Sequence, residues 1–106
     1  MSLGTLYLFD ELKNVTDWAI VHHAPSDAGI RVIQATSQGN GKVQATILVE
    51  GSNLQDSPAW VYVGQIQLYG VSPLSIFKDT VIPWIFTRVT LVENLFGQPI
   101  VCNIAA

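Results

Sequence analysis

Val43-Gln-Ala-Thr-Ile-Leu-Val-Glu50 decides the fold class. Val43, Ala45, Ile47 and Val49 fall on one side of an extended chain, and Gln44, Thr46, Leu48 and Glu50 on the other. Alternation with period two marks a strand that buries one face. Just upstream, Ser37-Gln-Gly-Asn-Gly41 collects residues that tolerate positive φ. Before it, Ile30-Arg-Val-Ile-Gln-Ala-Thr36 is apolar and β-branched. Two β runs joined by a short Gly-Asn-Gly segment predict a hairpin.

Further strands follow outward from this pair. Trp60-Val-Tyr-Val-Gly-Gln-Ile-Gln-Leu68 places Trp60, Tyr62, Gly64, Ile66 and Leu68 in one phase, and Gly64 in mid-strand suggests a bulge or a close backbone approach. Ile85-Phe-Thr-Arg-Val-Thr-Leu-Val92 puts Ile85, Thr87, Val89 and Leu91 on one side and Phe86, Arg88, Thr90 and Val92 on the other. Ile100-Val-Cys-Asn-Ile104, Trp18-Ala-Ile-Val-His-His23 and Leu6-Tyr-Leu-Phe9 complete the β runs. Asp10-Glu-Leu-Lys-Asn14 suits one helical turn. Pro25, Pro58, Pro73, Pro83 and Pro99 fall between the runs or at their starts, where a missing N–H costs little. The expectation is an all-β fold, an antiparallel β-sandwich or jelly-roll-like domain of about 7–8 short strands. Residues 1–106 read as one domain, with 1–14 as an N-terminal arm.

Composition narrows the function classes. Hydrophobic residues make up 49% of the chain and charged residues 12%, about half the share usual in globular domains. That balance excludes a disordered tail and a coiled coil. A net charge of −3 leaves no basic surface to attract nucleic acid. No segment reaches the roughly 20 apolar residues of a membrane-spanning helix, and Met1-Ser-Leu-Gly-Thr5 lacks the basic, apolar start of a signal peptide. A single cysteine, Cys102, excludes an internal disulfide and a Cys-rich zinc site.

Few residues suggest chemistry. His22 and His23 are adjacent on a strand, so they point to opposite faces and do not readily share a metal. Ser26, Ser52, Ser57, Ser72 and Ser75 lie in turn-like contexts, and none sits in a Gly-x-Ser-x-Gly elbow. Cys102 reads as a small core residue. The eight acids are scattered, with only Asp10 and Glu11 adjacent, and no Gly-rich phosphate loop occurs. The expectation is a non-enzyme with no catalytic residues, no metal and no cofactor. Trp60 reads as a core anchor and Trp84, after Pro83, as an exposed one. Arg88, one of two arginines, suits a salt bridge to Glu50 or Glu93 across a sheet or subunit boundary. The outward positions Leu48, Val61, Val63, Phe86 and Val92 are apolar. With so few charges to keep them wetted, they either form a second layer of the core or meet other chains, a pattern that favours an oligomer or a protein built into an assembly.

Val49-Glu-Gly-Ser-Asn53, the Trp60–Leu68 strand, Trp84-Ile-Phe-Thr-Arg-Val-Thr-Leu-Val92 and Pro99-Ile-Val-Cys-Asn-Ile104 together resemble small bacteriophage virion proteins. The likeness spans residues 32–104. The sequence departs from that pattern in carrying Leu54-Gln-Asp-Ser-Pro58 where a bare Asp-Gly is common. The resemblance implies a head decoration (cement) protein, or a part of the tail or head–tail junction, located in the virion after assembly in the host bacterial cytoplasm. It implies self-association, as a trimer, and contact with a major capsid or other virion protein. Gly51, Ser52 and Asn53 would form a structural turn. Interface positions would be Leu3, Leu6, Leu8, Val61, Val63, Trp84, Phe86 and Arg88. Deletion of residues 1–9 is expected to weaken assembly more than folding. The competing reading is a carbohydrate-binding sandwich or a receptor-binding tail tip, which calls for two exposed, coplanar tryptophans.

Overall fold

A computed structural model describes residues 6–8, 11–22, 30–54, 59–81 and 84–105. Over these residues the chain is all-β, with eight described strands: β1 Leu6–Leu8, β2 Trp18–His22, β3 Ile30–Ser37, β4 Lys42–Ser52, β5 Val61–Val71, β6 Ser75–Val81, β7 Phe86–Asn94 and β8 Ile100–Ala105. They form two antiparallel four-stranded sheets, in the orders β1-β8-β3-β6 and β2-β7-β4-β5. The pairs are nested. β4 meets β5, β3 meets β6, β2 meets β7 and β1 meets β8, around one central hairpin. Rolling such a nested ribbon into two layers produces the jelly-roll arrangement.

Nesting corrects one expectation. β3 and β4 do not form a hairpin; they lie in different sheets. Ser37–Gly41 carries the chain from one layer to the other. Its polar groups are met by neighbouring connections rather than by a closing ladder. Ser37 N–H donates to Leu74 O (2.9 Å), Leu74 N–H donates to the Ser37 hydroxyl (2.7 Å), and Gln38 N–H donates to Pro99 O (2.8 Å). Gln98 Nε2 donates to Asn40 O (2.7 Å). Gly41, at φ +99°, supplies the left-handed conformation this crossing needs.

The core lies between the layers and follows the alternation of the sequence. Val43, Ala45, Ile47 and Val49 of β4 are buried, facing Ile33 and Ala35 of β3 and Ile100, Cys102 and Ile104 of β8. Ile66, Leu68, Val89 and Leu91 complete the second layer. Cys102 is fully buried, and burial pushes its thiol pKa up to about 12.

Residues 6–8 and 11–17 are part of this body. Leu6, Tyr7 and Leu8 register with Ala105, Ile104 and Asn103 of β8. Leu12 exchanges main-chain hydrogen bonds with Ile100 (2.7 and 2.8 Å) and is 1% exposed. Over its described residues the helical turn expected at 10–14 is instead an extended bridge followed by a turn at Asn14–Thr16. Asp17 closes that turn, its carboxylate accepting the N–H groups of Lys13 (3.0 Å) and Asn14 (2.7 Å). β6, Ser75-Ile-Phe-Lys-Asp-Thr-Val81, carries no clean strand signal in the sequence, because Lys78 and Asp79 interrupt its apolar pattern. At a sheet edge those charges are accommodated.

Candidate interaction surface

The outer face of the β2-β7-β4-β5 sheet can be read off its registers. One row runs Trp18, Thr90, Leu48, Gln65; the next runs Ile20, Arg88, Glu50, Tyr62. Two irregularities shape this face. On β5, Val49 pairs with Gly64 and Glu50 with Tyr62, so Val63 is an extra residue. On β7, Ile47 pairs with Leu91 and Thr46 with Glu93, so Val92 is an extra residue.

The bulge at Val63 overturns the phase expected for the first half of this strand. Gly64, Ile66 and Leu68 face the core, but Tyr62 is 62% exposed beside Glu50. Trp60 is half-buried, and its ring lies beneath the Arg88 guanidinium, 4.6 Å from ring centroid to Cζ. The expected core anchor is therefore part of a cation–π stack. Arg88 also donates through Nη2 (2.6 Å) and Nε (3.2 Å) to Glu50 Oε1. The expected partner Glu50 is found, but the bridge joins neighbouring strands of one sheet and crosses no sheet boundary.

Higher on the same face Glu93 gathers three donors. Thr46 Oγ1 (2.9 Å) and Tyr69 OH (3.0 Å) reach Oε1, and Gln44 Nε2 (3.4 Å) reaches Oε2. These bonds, Thr46 first and then Tyr69 and Gln44, hold its carboxyl below the usual carboxylate range. The charges of the face are thus engaged internally. Its exposed side chains include Trp18, Tyr62, Tyr69 and Gln65. Aromatic residues with an arginine, and few free charges, form the composition that protein interfaces concentrate at their centres.

The remaining expected positions lie around this face. Val61 is 44% exposed, and Val63 is half-buried against the core. Trp84, expected as an exposed anchor, is half-buried and packs on the core. Its indole covers Gly51 so closely that a Cβ there would overlap it. Phe86 is half-buried at the start of β7. Gly51 and Ser52 end β4, and the turn begins at Asn53, whose Oδ1 accepts Ile85 N–H (3.2 Å). Leu6 and Leu8 lie in β1; Leu3, His23, Ser26 and Ser57 lie outside the described residues.

Another apolar surface, which no local sequence pattern marks, lies at the end of the sandwich where the β3–β4, β5–β6 and β7–β8 connections meet. Leu95 (64%), Phe96 (48%), Val15 (49%) and Val71 (65%) are exposed there. Asn94 Nδ2 braces this end by donating to Lys13 O (2.7 Å) and Gln98 O (2.8 Å). Among the described residues no three His, Cys, Asp or Glu side chains gather as a metal site. No protein-family model, curated protein or solved structure matches the chain.

Proposed function

We propose that this protein is a non-enzymatic virion structural component, a capsid decoration protein that self-associates and bridges shell subunits. The observation that carries the reading is the outer sheet face centred on Arg88, Glu50 and Trp60. Its charges are satisfied within the chain, and it leaves Trp18 and Tyr62 exposed. Such a face gains free energy by losing water to a partner, and Arg88 and Glu50 at its centre are already paired with one another. A bridging protein needs two contact surfaces, and the Leu95–Phe96 end supplies a second, remote from Tyr62 along β5. Bonds that are weak singly become strong when repeated over a lattice.

The carbohydrate-binding reading draws less support. It calls for two exposed tryptophans, whereas Trp18 is exposed and Trp60 and Trp84 are half-buried. The deciding experiment combines light scattering of the purified chain with cosedimentation on shells assembled from the capsid protein of the same genome. Expected are a mass above 11.6 kDa that rises with concentration, and saturable shell binding that Tyr62→Glu reduces at least tenfold. A strict monomer that ignores shells overturns the proposal, and saturable binding to a glycan instead establishes its competitor.

A further inference from the structure

Asn40-Gly41 is the one Asn-Gly pair in the chain, and it lies in the passage between the two layers. Both residues are exposed. Among the described residues nothing hydrogen-bonds the Asn40 carboxamide or the Gly41 N–H. The main-chain oxygens around them are held instead. Gln98 Nε2 donates to Asn40 O (2.7 Å) and to Lys42 O (3.4 Å), and Ser72 N–H donates to Gly41 O (2.6 Å). Gly41, at φ +99°, has no Cβ to shield its nitrogen.

We propose that Asn40 is a self-modification site, at which the Gly41 nitrogen attacks the side-chain amide and closes a succinimide ring. Solvent hydroxide takes the Gly41 N–H proton. The amidate so formed shares its charge with Asn40 O, the atom that Gln98 Nε2 already meets, and a hydrogen bond to the charged form favours it. The nitrogen adds to Asn40 Cγ, the Cγ–Nδ2 bond breaks, and the amide leaves as ammonia with a proton from water. Water then opens the ring. Cleavage at Cγ leaves aspartate on an unchanged main chain. Cleavage at the Asn40 main-chain carbonyl leaves isoaspartate, with the chain routed through the former side chain. One water enters and one ammonia departs, and nothing is oxidised or reduced.

The other asparagines lack one condition or another. Asn14 precedes Val15 and Asn103 precedes Ile104, where a stiff β-branched side chain crowds the nitrogen. After Asn53, Leu54 N–H is taken by the Ser52 hydroxyl (3.1 Å); after Asn94, Leu95 N–H is taken by Gln44 O (2.9 Å). Either product at residue 40 adds a negative charge to a chain of net charge −3. The charge arrives at the end of the sandwich that exposes Val71, Leu95 and Phe96. Isoaspartate also lengthens the main chain by one carbon at the entry to β4, where Lys42 pairs with Val71. This chemistry is independent of the shell-binding role proposed above.

The test is incubation of the purified full chain in warm, mildly alkaline buffer, followed by peptide mapping in a mass spectrometer. Expected are ammonia release and a gain of about 1 Da on the peptide holding residue 40, split between two products that separate on chromatography. Asn40 should convert at least tenfold faster than Asn14, Asn53, Asn94 or Asn103. Asn40→Ser should remove this early ammonia release. A parallel incubation in guanidinium chloride separates the fold from the dipeptide, and it stands whether or not the variant folds. Conversion in the folded chain at more than a tenth of the unfolded rate supports the site as the fold presents it. A slower folded rate, or conversion led by another asparagine, overturns the proposal.

Discussion

Arg88 and Glu50 stand directly opposite one another on β7 and β4, and one carboxylate oxygen accepts both guanidinium contacts, at 2.6 and 3.2 Å. The side chains keep 28% and 14% of their exposure, between the regimes of surface and buried pairs. Arg88→Ala should lower stability by about 1–2 kcal/mol, counting the lost stack on Trp60. A double-mutant cycle with Glu50→Gln, read by urea unfolding, should give a coupling of about 0.5–1 kcal/mol. Additive effects would mean that the pair does not hold in solution.

Gly51 and Gly64 offer a matched contrast. A methyl group at Gly51 runs into the Trp84 indole, and one at Gly64 meets the flexible end of Lys78. Gly51→Ala should cost about 1–3 kcal/mol and change the tryptophan fluorescence. Gly64→Ala should cost clearly less, because the Lys78 stem can swing aside. Thermal melts of the two variants compare them directly.

Leu12 carries the join between the N-terminal segment and the core. Leu12→Ala removes a side chain that is 1% exposed and should cost about 2–5 kcal/mol in denaturant unfolding. A loss below 0.5 kcal/mol would show that residues 11–14 stand apart from the fold.

Cys102 sets an alkaline limit. Its folded pKa, near 12, lies above the unfolded value of 9.0, because burial disfavours the thiolate. The protonated thiol therefore stabilises the fold fully below about pH 9, and that contribution falls as pH rises towards 12. The slope approaches about 1.4 kcal/mol per pH unit in this window. Unfolding free energy measured from pH 8 to 11 should decline, and Cys102→Ala should flatten the decline while lowering stability overall.

Glu93 acts at the other extreme. Its folded pKa lies below the ordinary 4.5, through bonds from Thr46, Tyr69 and Gln44. Its contribution is present above the unfolded pKa and is lost as pH falls through the folded one. Glu93→Gln should weaken the loss of stability on acidification, most visibly below pH 4.5.

What the sequence disclosed depended on how local each signal was. The β4 alternation needed only its own residues, and Glu50 could be nominated as Arg88's partner because charges are scarce. The phase of Trp60 and Tyr62 was lost at Val63, since one extra residue reverses every side chain beyond it. Ser37–Gly41 has the composition of a hairpin turn, and the same residues suit a passage between layers. Which of the two forms depends on the partners of β3, and those lie in β6 and β8. The Leu95–Phe96 end was invisible because its exposure arises from connections distant in the chain.

The nested pairing has a consequence for synthesis. A ribosome delivers β1, β2 and β3 long before β8, β7 and β6, to which they pair. Among the described strands, β4 and β5 are the consecutive pair that can zip together on emergence. Until residues 100–105 leave the exit tunnel, the gap between β1 and β3 stays unfilled. Strands β1, β2 and β3 must therefore wait unpaired, which makes them the stretch for a chaperone to shield.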